Sequence, residues 1–330
     1  MKQFLQKKAK LVFLCMLVLL TCTACANPRG RDGKTLADQI IASEETTIDA
    51  SQINYKDISD KELKKEIKKN IKDGQYTIQP TTFKNSMSKG WFEGLIVWPI
   101  AQIINLISAK TDAGVGIILT TLLIQMLVFL FTRKSQMSTQ RMQEIQPEIQ
   151  KIQNKYKDKT DERSKMQMAQ EMQNIYQKYD IHPFGSMLIT FIQLPIMMGM
   201  YYATMRSVSV VSGSFIGISL AGTPLDGFKA FDIAYIAIYV LMVIFYIISM
   251  KLPQWLKKWQ DKKDHVKVKK YAQPETNPMA NSMNMSMYFM TAMICIMYIS
   301  WPMAMSFYWL VSSVIRVCQS LILHQVMNKK

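Results

Sequence analysis

No aspartate or glutamate interrupts the long apolar runs that fill the second two-thirds of this 330-residue chain. Carboxylates at bilayer depth are what an intramembrane aspartyl protease or a proton relay needs, so their absence excludes the first and most forms of the second. Histidine is scarce too. His182, His265 and His324 lie at or outside the edges of the apolar runs, and none shows HExxH-type spacing or a nucleophile partner. Cysteine is limited to Cys15, Cys22, Cys25, Cys295 and Cys318, three near the N-terminus and two inside apolar runs. That distribution builds no disulfide framework or metal cluster, and nothing indicates a cofactor or a covalent catalytic step. Internal repeats and inverted symmetry are also missing, which counts against a repeat-built secondary transporter.

What is present is bunched. The chain is 49% hydrophobic with a net charge of +16, and its apolar residues collect into blocks, the pattern that membrane insertion reads. Five spans are predicted, at about 113–131, 184–205, 233–250, 283–299 and 303–323. Each approaches or meets the ~17–25 residues that cross a hydrocarbon layer. Ser300-Trp301-Pro302 separates the last two, which makes them a tight hairpin.

The first 24 residues read as a lipoprotein signal. Lys2, Lys7, Lys8 and Lys10 precede the apolar run 11–20, which is too short to span. It ends in Cys22-Thr23-Ala24-Cys25, where small residues before a cysteine resemble a lipobox. Cys25 is the predicted lipidation site; Cys22 and an uncleaved anchor are the alternatives. Residues 25–89 are polar, with 12 Lys/Arg against 10 Asp/Glu. They read as an extracytoplasmic tether with one amphipathic helix near 60–72, where Leu63, Ile67 and Ile71 recur every four residues. Residues 90–110 are apolar but broken by Pro99 and weighted with Trp91, Phe92 and Trp98, as in a helix lying along the outer interface. An extra span there is the competing reading.

Charge then sets orientation. Residues 133–182 carry 10 Lys/Arg, and the loop after residue 250 carries 8 Lys against 3 acids within 251–280. The connection 207–231 holds only Lys229. Positive-inside assignment gives an external N-terminus, two cytoplasmic loops (133–182 and 251–282) and a cytoplasmic C-terminus. In the first loop Met142, Ile145, Ile149, Ile152 and Tyr156, then Met168, Met172, Ile175 and Tyr179, recur at helical steps. This predicts an antiparallel helical hairpin.

Arg316 is the only arginine deep inside a predicted span. A guanidinium at that depth costs about 2.5–3.5 kcal/mol even on the mildest insertion scale. Ser313 lies three residues before it, Gln319 and Ser320 follow at helical spacing, and Ser312 adjoins. Gln125 and Thr121 in the first span and Gln193 in the second add polar groups at depth. Singly, Ser and Thr are ordinary interhelical glue; the glutamines cost more. Nine methionines fall within 279–305, suited either to a surface that accepts many apolar sequences or to lipid-facing filler.

Four strings, taken in order, carry a resemblance: GWFEGLIVWPI (90–100), MQEIQPEIQKIQNKY (142–156), PFGSMLITFIQLPIMMGMYYATMR (183–206) and SFYWLVSS (306–313). With the five-span pattern they resemble the YidC/Oxa/Alb family of membrane protein insertases, in particular its Gram-positive SpoIIIJ-like lipoprotein members. The resemblance implies an all-α integral membrane fold: five transmembrane helices around a hydrophilic groove, an external interfacial helix and a cytoplasmic helical hairpin, with residues 111–330 forming the core. It implies a plasma-membrane insertase that receives hydrophobic segments of nascent membrane proteins and releases them into lipid. Its partners would be those nascent chains and membrane lipids, with the Sec translocon and the ribosome as further candidates and no nucleic acid except through the ribosome.

One position departs from the family pattern. Where members carry a first-span arginine, this chain reads Ile124-Gln125-Met126. Gln125 lies 8 residues before Arg133 and Arg316 lies 8 before His324, which puts both roughly 12 Å above the inner boundary. The reading is that Arg316 supplies the groove charge from the fifth span, with Gln125, Thr121, Gln193, Ser312, Ser313 and Gln319 as groove-lining polar residues. The competing reading has Arg316 snorkelling to inner headgroups. Rival functions are a secondary transporter or channel for an anionic solute, and a passive assembly scaffold.

Overall fold

A computed structural model describes residues 28–156, 159, 161–181, 185–263, 289 and 291–328. The signal segment with Cys25, His182, His265, residues 283–288 of the fourth predicted span, most of the 251–282 loop and the last two residues lie outside the described residues. In chain order the elements are β1 (Thr35–Leu36), β2 (Thr46–Asp49), β3 (Ile53–Asn54), α1 (Lys61–Asn70), β4 (Gln75–Ile78), α2 (Phe83–Lys89), a π-helical turn (Glu93–Val97) running into α3 (Trp98–Ser108), α4 (Ala113–Glu144), α5 (Gln146–Lys155), α6 (Glu162–Lys178), α7 (Gly185–Arg206), α8 (Val208–Val211), β5 (Ser214–Phe215), β6 (Ile218–Ser219), α9 (Pro224–Ala230), α10 (Ile233–Lys263), helical residues 291–298, and α11 (Met303–Asn328).

Among the described residues, three helices are long and apolar enough to cross a membrane: Ala113–Met142, Ile233–Gln260 and Met303–Val326. At 1.5 Å per residue α4, α10 and α11 measure about 48, 46 and 39 Å, each longer than the ~30 Å hydrocarbon core. The second predicted span corresponds to α7, a 22-residue helix with Pro195 inside it. The chain divides into two compact units: the chain up to Thr120 with Gln193–Thr223 and Pro302–Tyr308, and Thr121–Ile192 with Pro224–Trp301 and Trp309–Lys330.

The first unit contains more order than a tether with one helix. β1 pairs parallel with β3, and β2 pairs antiparallel with β4 from Thr46↔Ile78 to Asp49↔Gln75. Asp60 caps α1 by accepting from the Glu62 and Leu63 N–H groups, and Ile67 turns inward. Ile40, Ala42, Ile48, Ile53, Ile58, Ile67 and Ile78 form one small core that includes Val208 and Val211 of α8. Backbone bonds make the join: Ile41 N–H donates to Arg206 C=O, and Val208 N–H donates to Ile41 C=O. Apart from Leu36-Ala37 and Ile40-Ile41-Ala42, the sequence shows apolar residues here singly, so a core shared with α8 is not apparent from it.

The segment 90–110, expected to lie along the outer interface, leaves Trp91, Leu95 and Leu106 52, 56 and 59% exposed, while Val97, Ala101 and Ile104 are fully buried. Gly199 of α7 lies close against it: a Cβ there would stand 2.4 Å from Ile96 Cγ2.

In the second unit α4 runs on past the predicted end of the first span to Glu144 and restarts as α5 with Pro147 in its first turn. Proline lacks the N–H that a continuous helix would use and is tolerated in a first turn, which places the break at Ile145. Ile145, Ile149 and Ile181 are buried between the hairpin arms with Met172, Ile175 and Tyr179 against them. Tyr179 Oη donates to Glu148 (2.6 Å), Tyr156 Oη donates to Glu171 (2.8 Å), and Asp161 caps α6 by accepting from Ser164 N–H.

Candidate functional site

The candidate site in the second unit is a polar face of α11. Residues 309, 312, 313, 316, 319 and 320 fall on one side of a 3.6-residue helix. Ser312 and Ser313 are buried, and Arg316 and Gln319 are half-buried. Gln125 of α4, 5% exposed, donates from Nε2 to Ser312 Oγ at 3.1 Å. One turn earlier on α4, Thr121 is completely buried on the same side. A glutamine withdrawn into a membrane helix is tolerated when its amide finds such a partner.

Arg316 Nη2 donates to Ser313 Oγ at 2.9 Å. Its guanidinium carbon stands 5.9 Å from the Trp309 ring centroid and 6.0 Å from that of Tyr246 on α10. Tyr298 stacks on Trp309 at 4.9 Å with 27° between planes, and Tyr246 meets Trp309 edge-on at 6.5 Å. Ring faces attract a guanidinium by about 0.5–2 kcal/mol depending on how dry the contact is. One turn beyond Arg316, the buried Ser320 hydroxyl has no hydrogen-bond partner among the described residues. Leaving such a group unhydrated costs about 1–3 kcal/mol, so this face suits contact with water.

The expected residues are thus distributed unevenly. Gln125, Ser312, Ser313 and Arg316 fall into two linked hydrogen-bonded pairs, with Thr121 and Gln319 alongside. The equal-depth estimate for Gln125 and Arg316 shifts: Gln125 bonds to Ser312, four residues or about 6 Å before Arg316 on α11. Gln193 belongs to the other unit and donates to Tyr308 Oη at 3.2 Å.

A second polar cluster, in the first unit, escaped the sequence reading. Arg206, 4% exposed, pairs through Nη1 with Glu93 Oε2 and donates from Nε to Gln39 C=O at 2.7 Å. Burial pulls its pKa below the ordinary guanidinium range, and the Glu93 carboxylate opposes that shift. Asn105, 1% exposed, donates to Ile41 C=O at 2.8 Å and accepts from the Ser207 hydroxyl at 2.6 Å and Ser209 N–H at 3.3 Å. The sequence signal was slight: a lone acid in WFEGLIV and a lone arginine closing MMGMYYATMR.

The family model described as 60Kd inner membrane protein matches residues 105–330. The chain is 31% identical over 237 residues to membrane protein insertase YidC 1 of Streptococcus pyogenes serotype M6, covering 72% of this chain and 75% of that protein. It is 30% identical over 237 residues to membrane protein insertase YidC of Enterococcus faecalis, covering 72% and 76%. It is 26% identical over 238 residues to membrane protein insertase MisCA of Bacillus subtilis, covering 72% and 80%.

Proposed function

We propose, from the premise that this chain belongs to the 60Kd inner membrane protein (YidC/Oxa) family and is a membrane protein insertase, that the polar face of α11 is where a passenger segment is first held. Arg316 is the foothold. An acidic or polar residue of the incoming chain exchanges for its contacts with Ser313 and the Trp309 and Tyr246 rings, while the passenger's apolar part moves into lipid. Gln125, Thr121, Ser312, Ser313 and Gln319 keep that face polar. Gln193, through Tyr308, is a separate polar contact. The route needs no chemical step.

The observation that carries this reading is the half-buried position of Arg316 on a face where Gln125 has already been drawn to Ser312. A cation there supplies from the fifth predicted span the charge that Gln125 cannot supply from the first. The same reading includes an N-terminus lipidated at Cys25 outside the cell and a C-terminus in the cytosol. Residues 25–89 form an external segment, 90–110 an interfacial helix, 111–330 the core and 133–182 a receiving hairpin. Contact with the Sec translocon, or with a ribosome through the hairpin or the loop after residue 250, belongs to it as well.

The test compares insertion of single-span passengers with acidic or neutral translocated tails by the parent, Arg316→Gln and Arg316→Lys. A loss confined to acidic tails in the glutamine variant and relieved in the lysine variant is expected. Equal insertion of both tails by all three proteins overturns the foothold and leaves family membership untouched.

A further inference from the structure

We infer that the end of α10 beyond its apolar length binds the headgroups of anionic phospholipids, through one helix face carrying Trp255, Lys258, Trp259 and Lys262. At about 100° per residue these four lie within a single arc roughly 100° wide. All four are exposed, Trp255 by 48% and Trp259 by 58%. Lys263 Nζ stands 5.5 Å from the Trp259 ring centroid at the edge of this face. Asp261 falls outside the arc.

The direction of the face identifies its ligand. Traced back along α10, the same arc carries Ile244, Val240 and Ile233, exposed by 47, 44 and 81%. Tyr239 and Met242, on the opposite side, are 9 and 2% exposed. The same arc is therefore apolar and exposed in the first part of the helix, half-buried at Ile248 and Lys251, and aromatic, basic and exposed beyond Pro253. The order acyl chain, interface, phosphate is the order a bilayer presents along its normal. The apolar stretch 233–250 has a length of about 27 Å, close to the ~30 Å hydrocarbon core. Trp255 and Trp259 follow about 8 and 14 Å further along the axis. Side chains on a helix lean toward its N-terminus, here back toward the membrane, and lysine reaches further by extending its stem. A basic and aromatic face also stacks nucleic-acid bases, but its place on one arc with the exposed apolar residues favours the membrane. The inference does not depend on the route proposed for insertion.

Each lysine near an anionic surface is worth about fivefold in lipid preference. The full-length protein in mixed micelles with equimolar phosphatidylglycerol and phosphatidylcholine is expected to retain the anionic lipid in excess by native mass spectrometry. The variant Lys258→Gln/Lys262→Gln should lose about tenfold or more of that excess. Trp255→Ala/Trp259→Ala should weaken retention of both lipids while keeping the preference. An unchanged excess in the double glutamine variant overturns the inference, and so does loss of ribosome co-sedimentation in that variant with lipid preference intact. If that variant does not fold, a photoreactive amino acid at position 258 of the full chain decides it: crosslinks to phosphatidylglycerol support the site, and crosslinks only to RNA or protein overturn it.

Discussion

Arg206, closing α7, is a guanidinium withdrawn from water and Arg316, within α11, is a half-buried one, and their contacts differ in chemistry. Arg206 meets the carboxylate of Glu93 and the carbonyl of Gln39, with side-chain exposures of 5% for the arginine and 14% for the glutamate. Around it the Asn105 amide donates to Ile41 and accepts from Ser207 and Ser209. Arg316 meets a hydroxyl and the faces of two rings, and is half-buried. A buried ion pair resists loss of either partner because the survivor is stranded. Contacts with a hydroxyl and ring faces are weaker, so an arriving carboxylate can displace them. The first arrangement suits a permanent clasp, the second an exchangeable contact.

The largest effect is expected from breaking the clasp. Glu93→Ala should destabilise the protein by about 3–5 kcal/mol, because it leaves Arg206 buried without its counter-charge. The check is the thermal unfolding midpoint in detergent. Replacing both partners, Glu93→Leu with Arg206→Met, should recover most of the loss. If the single variant unfolds like the parent, the clasp has no structural role. Asn105→Ala should follow at about 1–3 kcal/mol by the same measurement, since a buried carbonyl and hydroxyl lose their amide partner.

Arg316→Gln should behave the opposite way. Its unfolding midpoint should move little, by less than the shift from Asn105→Ala, while insertion of acidic-tailed passengers falls by about tenfold, the equivalent of roughly 1.4 kcal/mol. An unfolding loss as large as that of Glu93→Ala would make Arg316 a second clasp and erase the contrast. Gln125→Leu removes one hydrogen bond to Ser312 and should cost about 1 kcal/mol, again read from the unfolding midpoint.

The smallest effect belongs to an exposed pair that serves as a control for both arginines. Hydrogen bonds from Lys155 and then Tyr156 hold the Glu171 carboxyl below its ordinary 4.5. A depressed carboxyl contributes stability above the unfolded value, and that contribution disappears as pH falls through the lower folded value. Amide exchange across α5 and α6 should therefore be flat from neutral pH down to about 5, after correction for intrinsic rates, and rise below 4.5. A rise already at pH 6 would assign the hairpin's pH response to another group.

Much of the plan was legible because membrane insertion depends on local quantities. The apolar lengths of α4, α10 and α11, the amphipathic period of the hairpin and the polar stripe from Ser312 to Gln319 all lie within single segments. The break at Ile145 was readable from Pro147 but hidden by the apolar period running through it. The small N-terminal core was not readable as a unit, because Ile40, Ile48, Ile53 and Ile67 are scattered among polar residues and Val208 and Val211 join them from 130 or more residues away. The Glu93–Arg206 pair has the same character: each residue alone looks like an ordinary charge near a membrane edge.

By itself, then, the sequence determined that the chain is an all-α membrane protein, how its apolar lengths are spaced, and that an arginine stands in α11 where the first predicted span offers only glutamine. These follow from composition and period within one stretch of chain, which need no partner to be read. Tertiary structure decided that buried Arg206 meets the Glu93 carboxylate, and that half-buried Arg316 has a hydroxyl and two aromatic rings among its contacts. That choice depends on side chains brought together from distant segments, and the cost of burying a charge is set by those neighbours.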